Sequence, residues 1–255
     1  MGKIIKYVFY DIVRNKIVLA YTAFLLLLTI GLFSLGGNPD KAVLSLLNLV
    51  LLTVPLISIV FATTHFYNSY EFIELLVAQP IHRRKIFMSE YLGVACSLAG
   101  AFVLGVGMPL LLLGASVTGL YLLLTGVLIT FIFVGMAFLA SVITRDKAKG
   151  IGVALLLWFY FALIYDGIVL FILYSFSDYP LETPTLVLTA LNPIDLARII
   201  VLLNMDISAL MGYTGALYKS ILGSLWGISL AFGLMVVWIL VPVLSSRRIF
   251  SRRDL

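Results

Sequence analysis

Between Leu92 and Thr144 the chain carries no Asp, Glu, Lys, Arg or His, and a second uncharged run covers Ala42–Thr64. A soluble core of this size has no room for such tracts, whereas a bilayer takes up about 20 apolar residues in each crossing helix. Composition agrees: 62% of the 255 residues are hydrophobic and 11% are charged, against about 25% charged in soluble domains. The expected fold is all-α and polytopic.

The crossings follow from where the apolar runs stop. Ile17–Gly36 and Ala42–Thr64 are the first two, joined by the turn-forming Gly36–Asp40. The tract after Leu92 is too long for one helix and should fold back at Gly114–Gly119, giving spans near 91–113 and 120–143. Gly150–Ser175 is the fifth and Ile221–Val243 the sixth. The first run is too long for a signal-peptide core and lacks an Ala-x-Ala exit, so it is expected to be retained. All of the 17 Lys and Arg except Lys41, Arg198 and Lys219 fall on one side of this scheme. Both termini are therefore expected in the cytoplasm, and the net charge of +5 reads as a topology signal, with no nucleic-acid partner expected. Cys96 stands alone, which excludes a disulfide framework and a thiolate metal site.

Several segments are more than hydrocarbon filler. Over 1–16, Ile4, Ile5, Val8, Phe9, Ile12 and Val13 recur at helical spacing, with Lys3, Lys6, Asp11 and Arg14 elsewhere on the wheel. That pattern predicts an interfacial helix. Tyr70–Tyr91 interrupts the greasy chain with acids first and then His82, Arg83, Arg84 and Lys85. Ile73, Leu76 and Val77 share a stripe, Glu71 and Glu74 share another face, and Pro80 makes Gln79 a stop. A short cytoplasmic helix within 67–80 is predicted. Its carboxylates suit a protein groove better than an anionic leaflet.

The segment 176–217 is the longest exterior connection. Asn192 can cap a helix whose first position is Pro193, and Leu196, Ile199, Ile200 and Leu203 form its apolar stripe. Asp195 and Arg198 can pair across three residues. This helix should dip into the outer leaflet or cap the bundle, as a plain lid or as a docking surface. Asp166 lies inside the fifth span, where an acid is costly; a proton relay and a structural contact between helices both fit. His65, at the inner end of the second span, is placed in the interface rather than on a metal. Gly93, Ser97, Ala101 and Gly105 recur every four residues and permit close packing, within the bundle or across a dimer. No G-x-x-x-x-G-K-[ST] or H-E-x-x-H element occurs, so the chain cannot hydrolyse ATP alone. A non-catalytic membrane subunit without bound cofactor or metal is expected.

An interfacial helix, six spans, a short helix between the second and third, and an outer hairpin between the fifth and sixth resemble the type 2 ABC exporter permeases. EFIELLVAQPIHRRKIFMSEYLG is similar to that family's helix-then-QP passage, although many members carry a Gly- and Thr-rich run before it. The resemblance implies one permease domain over 1–255, with a coupling helix in 67–80 that sits in a cleft of a separate cytoplasmic ATPase. ATP and Mg would be held by that partner. Glu71, Phe72, Ile73, Glu74, Leu76 and Gln79 would make the contact.

LNPIDLARIIVLL followed by DISALMGYTGALY is similar to the NosY-type permeases of nitrous oxide reductase maturation. That likeness implies a homodimer in a prokaryotic inner membrane, a NosF-type ATPase and a periplasmic NosD-type protein. The role implied is assembly of the reductase's copper–sulfur cluster for denitrification. Asp195, Arg198, Met211, Tyr213 and Thr214 are the residues expected at the outer contact. The competing expectation is an ATP-independent secondary transporter or channel with Asp166 as its ion or proton site.

Overall fold

In hydrocarbon every backbone N–H and C=O has to be satisfied within its own segment or by a close neighbour, and each apolar tract accordingly forms a helix. The computed structural model describes residues 2–35, 39–114, 116–144, 146–177, 182–205 and 225–252, with no strand among them. In chain order these are α1 (Gly2–Val13), α2 (Lys16–Leu35), α3 (Pro39–Asn68), α4 (Tyr70–Val77), α5 (Arg83–Phe102), α6 (Met108–Leu113), α7 (Val117–Ile143), α8 (Lys147–Phe159), α9 (Tyr165–Ser175), α10 (Glu182–Ala190), α11 (Pro193–Leu202) and α12 (Leu225–Arg252). A five-residue π-helical turn, Val103–Gly107, joins α5 to α6, and another, Tyr160–Ile164, joins α8 to α9. Counting those joined pairs as one helix each, six helices among the described residues are long and apolar enough to cross a membrane.

The largest departures from expectation are at three boundaries. The third span begins at Arg83 rather than near 91, because the Arg, Lys, Met and Glu after Pro80 are good helix formers and nothing breaks them. The second extends through His65 to Asn68 for the same lack of a breaker. The sixth, expected to end at Val243, continues through Arg247 and Arg248 to Arg252; its expected first residues, 221–224, lie outside the described residues. The fold-back after Gly114 is capped by Ser116, whose Oγ accepts from the Gly119 N–H at 3.1 Å.

α7 is the axis of the bundle. It is 67% buried over its most apolar stretch, whereas the fifth span is 11% buried, so α3, α5, α8, α11 and α12 pack around α7 while α8–α9 lies at the rim. The interior includes hydroxyls, and these are satisfied locally. Thr29, Thr63, Ser97, Thr130 and Ser141 each donate to the carbonyl four residues earlier, at 2.7–2.9 Å, the intrahelical solution for a hydroxyl that has no water.

The row of small residues along α5 and the π turn after it is used inside the bundle. A Cβ at Gly93 would lie 2.5 Å from Val8 Cγ1 of α1, and one at Gly105 would lie 2.7 Å from Leu25 Cβ of α2. Both interfaces therefore need the missing side chain, which favours the intramolecular alternative for that row.

Candidate functional site

At the end of the bundle that carries α1, α4 and the last turn of α12, α4 lies between the second and third spans. Its hydrophobic stripe turns inward: Ile73 and Leu76 are buried, and Phe72 stacks on Tyr7 of α1 with ring centroids 5.4 Å apart. Glu71, Glu74, Leu75 and Gln79 face outward. Of the residues expected at an ATPase contact, Ile73 and Leu76 thus anchor the helix to its own bundle, Phe72 is half-covered, and Glu71, Glu74 and Gln79 form the outward face. Leu75, 68% exposed, joins them and is not singled out by the sequence. Its apolar side chain beside Glu74 looks like part of a regular stripe until the packing partner of that stripe is known.

Immediately behind α4 is a polar contact that sequence reasoning missed. His65 Nε2 is 3.6 Å from Glu90 Oε2 on α5 and 3.3 Å from the Oγ of Ser69, the residue before α4. Glu90 is 2% exposed, and its Oε1 has no hydrogen-bond partner among the described residues. His65 also stacks on Phe61, with centroids 6.0 Å apart. The imidazole consequently links the start of α4 to a buried carboxylate on the third span. The available signal is Glu90 itself, but it sits at the trailing edge of a charged stretch and reads with it as interfacial. His65 itself is 10% exposed.

At the opposite end, α10 and α11 form a hairpin bent by 111°. Its vertex is Asn192, fully buried, whose Oδ1 accepts from the Ile194 N–H at 3.0 Å. The same side chain donates from Nδ2 to Phe161 O, in the π turn of the fifth span, at 3.0 Å and to Asp195 Oδ2 at 2.9 Å. Arg198 Nη1 donates to Asp195 Oδ1 at 3.0 Å and to Asp166 Oδ2 at 3.3 Å. The intramembrane acid is therefore answered by a guanidinium from the hairpin. Burial and the neighbouring Asp166 carboxylate push the Asp195 carboxyl up to about 6, against the pull of Arg198. Tyr165 OH donates to Leu188 O at 2.6 Å, Trp238 Nε1 to Ala190 O at 3.0 Å, and Thr118 Oγ1 to Asn204 O at 3.2 Å. The hairpin is a tethered cap. Met211, Tyr213 and Thr214 lie outside the described residues. No cluster of three or more His, Cys, Asp or Glu among the described residues could hold a metal.

The sequence has known relatives. The sequence matches the family described as ABC-2 family transporter protein over residues 3–255. The chain belongs to that family. This permease is 27% identical over 268 residues to a protein named probable ABC transporter permease protein NosY of Stutzerimonas stutzeri, covering 95% of each chain. It is 29% identical over 225 residues to the protein of the same name from Pseudomonas aeruginosa, covering 79% of this permease and 81% of the relative. The chain is thus a NosY-like ABC transporter permease subunit with multiple membrane-spanning helices. There is a helix with an outward face at one end and a tethered cap at the other.

Proposed function

We propose that this permease couples ATP hydrolysis by a separate cytoplasmic ATPase to movement across the inner membrane, with both termini in the cytoplasm. The observation that carries the reading is the two-sided character of α4. Its apolar stripe is committed to α1 and the bundle, which leaves Glu71, Glu74, Leu75 and Gln79 as an outward face. A helix held this way can transmit displacement of its outer face to the third span, through Ser69, His65 and Glu90. Such coupling is reciprocal: whatever engages the α10–α11 cap changes the ATPase's affinity for nucleotide by the same factor.

The relatives' names extend the proposal. Two copies of the permease, two NosF-type ATPases and a periplasmic NosD-type partner at the cap would form the assembly. Its work would be maturation of the copper–sulfur cluster of nitrous oxide reductase. Asp166 has a structural role in this scheme, since Arg198 already answers its charge.

Co-purification with the ATPase tests the coupling assignment. Glu71→Lys with Glu74→Lys should weaken retention by about two orders of magnitude, since like charges set against a complementary surface cost several kcal/mol, while the melting temperature stays unchanged. Full retention of the ATPase by that variant would place the contact elsewhere.

A further inference from the structure

The basic residues at the α4 end do more than set topology. His82, Arg83, Arg84 and Lys85, at the start of α5, converge with Ser251 and Arg252, at the end of α12, around a cavity of about 600 Å³. The two chain segments are far apart in sequence and are held together just inside this cavity by Phe87 and Phe250, both buried, with ring centroids 5.5 Å apart. A topology signal requires only that cations lie on one side of the membrane. It does not require that two helices bring them to one hollow.

The local electrostatics are unfavourable as they stand. A helix N-terminus carries about half a positive charge and favours anions. The first turn of α5 contains no acid, and no side chain caps it; Arg83, Arg84 and Lys85 add positive charge there instead. The ion pairs among the described residues lie elsewhere, and Arg84, Lys85 and Arg252 have no carboxylate partner among them. Ser251 adds a hydroxyl at the rim, at present donating to Arg248 O at 2.9 Å. The cavity sits where the charged ends of α5 and α12 give way to their apolar stretches.

We infer that this cavity is a binding site for the phosphate of an anionic phospholipid headgroup in the adjoining leaflet. The site recognises a phosphate monoester or diester anion through Arg84, Lys85 and Arg252, and the acyl chains lie along the apolar flanks of the two helices. Basic pockets between membrane helices bind headgroups in this way. The inference depends on the six-span fold and not on the ATPase reading.

The test uses the full-length protein in detergent, with native mass spectrometry and thermal unfolding after addition of phosphatidylglycerol, phosphatidylcholine or inorganic phosphate. Phosphatidylglycerol should be retained in preference to phosphatidylcholine and should raise the melting temperature. Arg84→Gln with Lys85→Gln and Arg252→Gln should reduce that preference about a hundredfold, at roughly 1 kcal/mol for each cation near the surface. Arg252→Gln alone, at the last helical turn, should reduce it about fivefold and keeps the result readable if the triple variant misfolds. An unchanged preference in the variants overturns the site. If inorganic phosphate alone gives the whole thermal shift and displaces the lipid, the occupant is a free anion and the lipid assignment fails. If the variants lose the ATPase but keep the lipid preference, the cavity is a protein contact and the inference is likewise wrong.

Discussion

Residues in this permease act by what they leave out as well as by what they contribute. A Cβ at Gly126 of α7 would fall on the ring of Phe102, itself fully buried. Overpacking of that kind costs about 1–3 kcal/mol, so Gly126→Ala should lower the melting temperature clearly. Adding Phe102→Leu should recover most of the loss, and a double variant no better than the single one would show that the clash is relieved elsewhere. Glu90 is the converse case. The sequence places an acid near a span boundary, but only the packing of α3 beside α5 shows that it is buried against His65. From the string alone Glu90 looks like a neighbour of the exposed Glu71 and Glu74; burial separates them.

Among the elements, the α10–α11 hairpin shows how far local reading extends. Asn192 as cap, Pro193 as first residue and the Asp195–Arg198 pair all follow from spacing of a few residues, and all are present. The partner of Asp166 is not local: Arg198 reaches it from 32 residues away, and no periodicity encodes that. The raised Asp195 carboxyl gives the cap a pH dependence whose sign can be worked out. A carboxyl whose folded pKa stands near 6, above its ordinary value, contributes stability that is complete at about pH 4 and below. That contribution is lost as the pH rises through about 6. Thermal unfolding should therefore show a component that weakens between about pH 4 and pH 6. Asp195→Asn should remove that component, and an identical slope in wild type and variant would assign it to other groups.

For the whole molecule, the distribution of burial bears on assembly. α7 is enclosed by its neighbours, but the fifth span presents Leu156, Phe159, Leu163, Phe171 and Tyr174 outward. Lipid or a second copy could cover that face; the proposed homodimer assigns it to a second copy. In a Cys96→Ser background, Leu156→Cys or Leu163→Cys should form disulfide-linked dimers in the membrane, whereas Leu27→Cys on the exposed side of α2 should not. Equal cross-linking at all three positions would reflect collision rather than an interface. Apolar run length alone marked out six crossing helices, each matched by a long apolar helix among the described residues, since hydrocarbon admits almost no backbone but helix. The spacing of breakers and caps likewise marked out a short helix after the second span and a hairpin after the fifth. The tertiary structure decided which faces those helices bury. It turned Ile73 and Leu76 inward and left Leu75 exposed, paired His65 with Glu90 and Arg198 with Asp166, and brought Arg252 to the cations of α5. A helix's period states which residues share a side; only contacts between distant segments determine what that side meets.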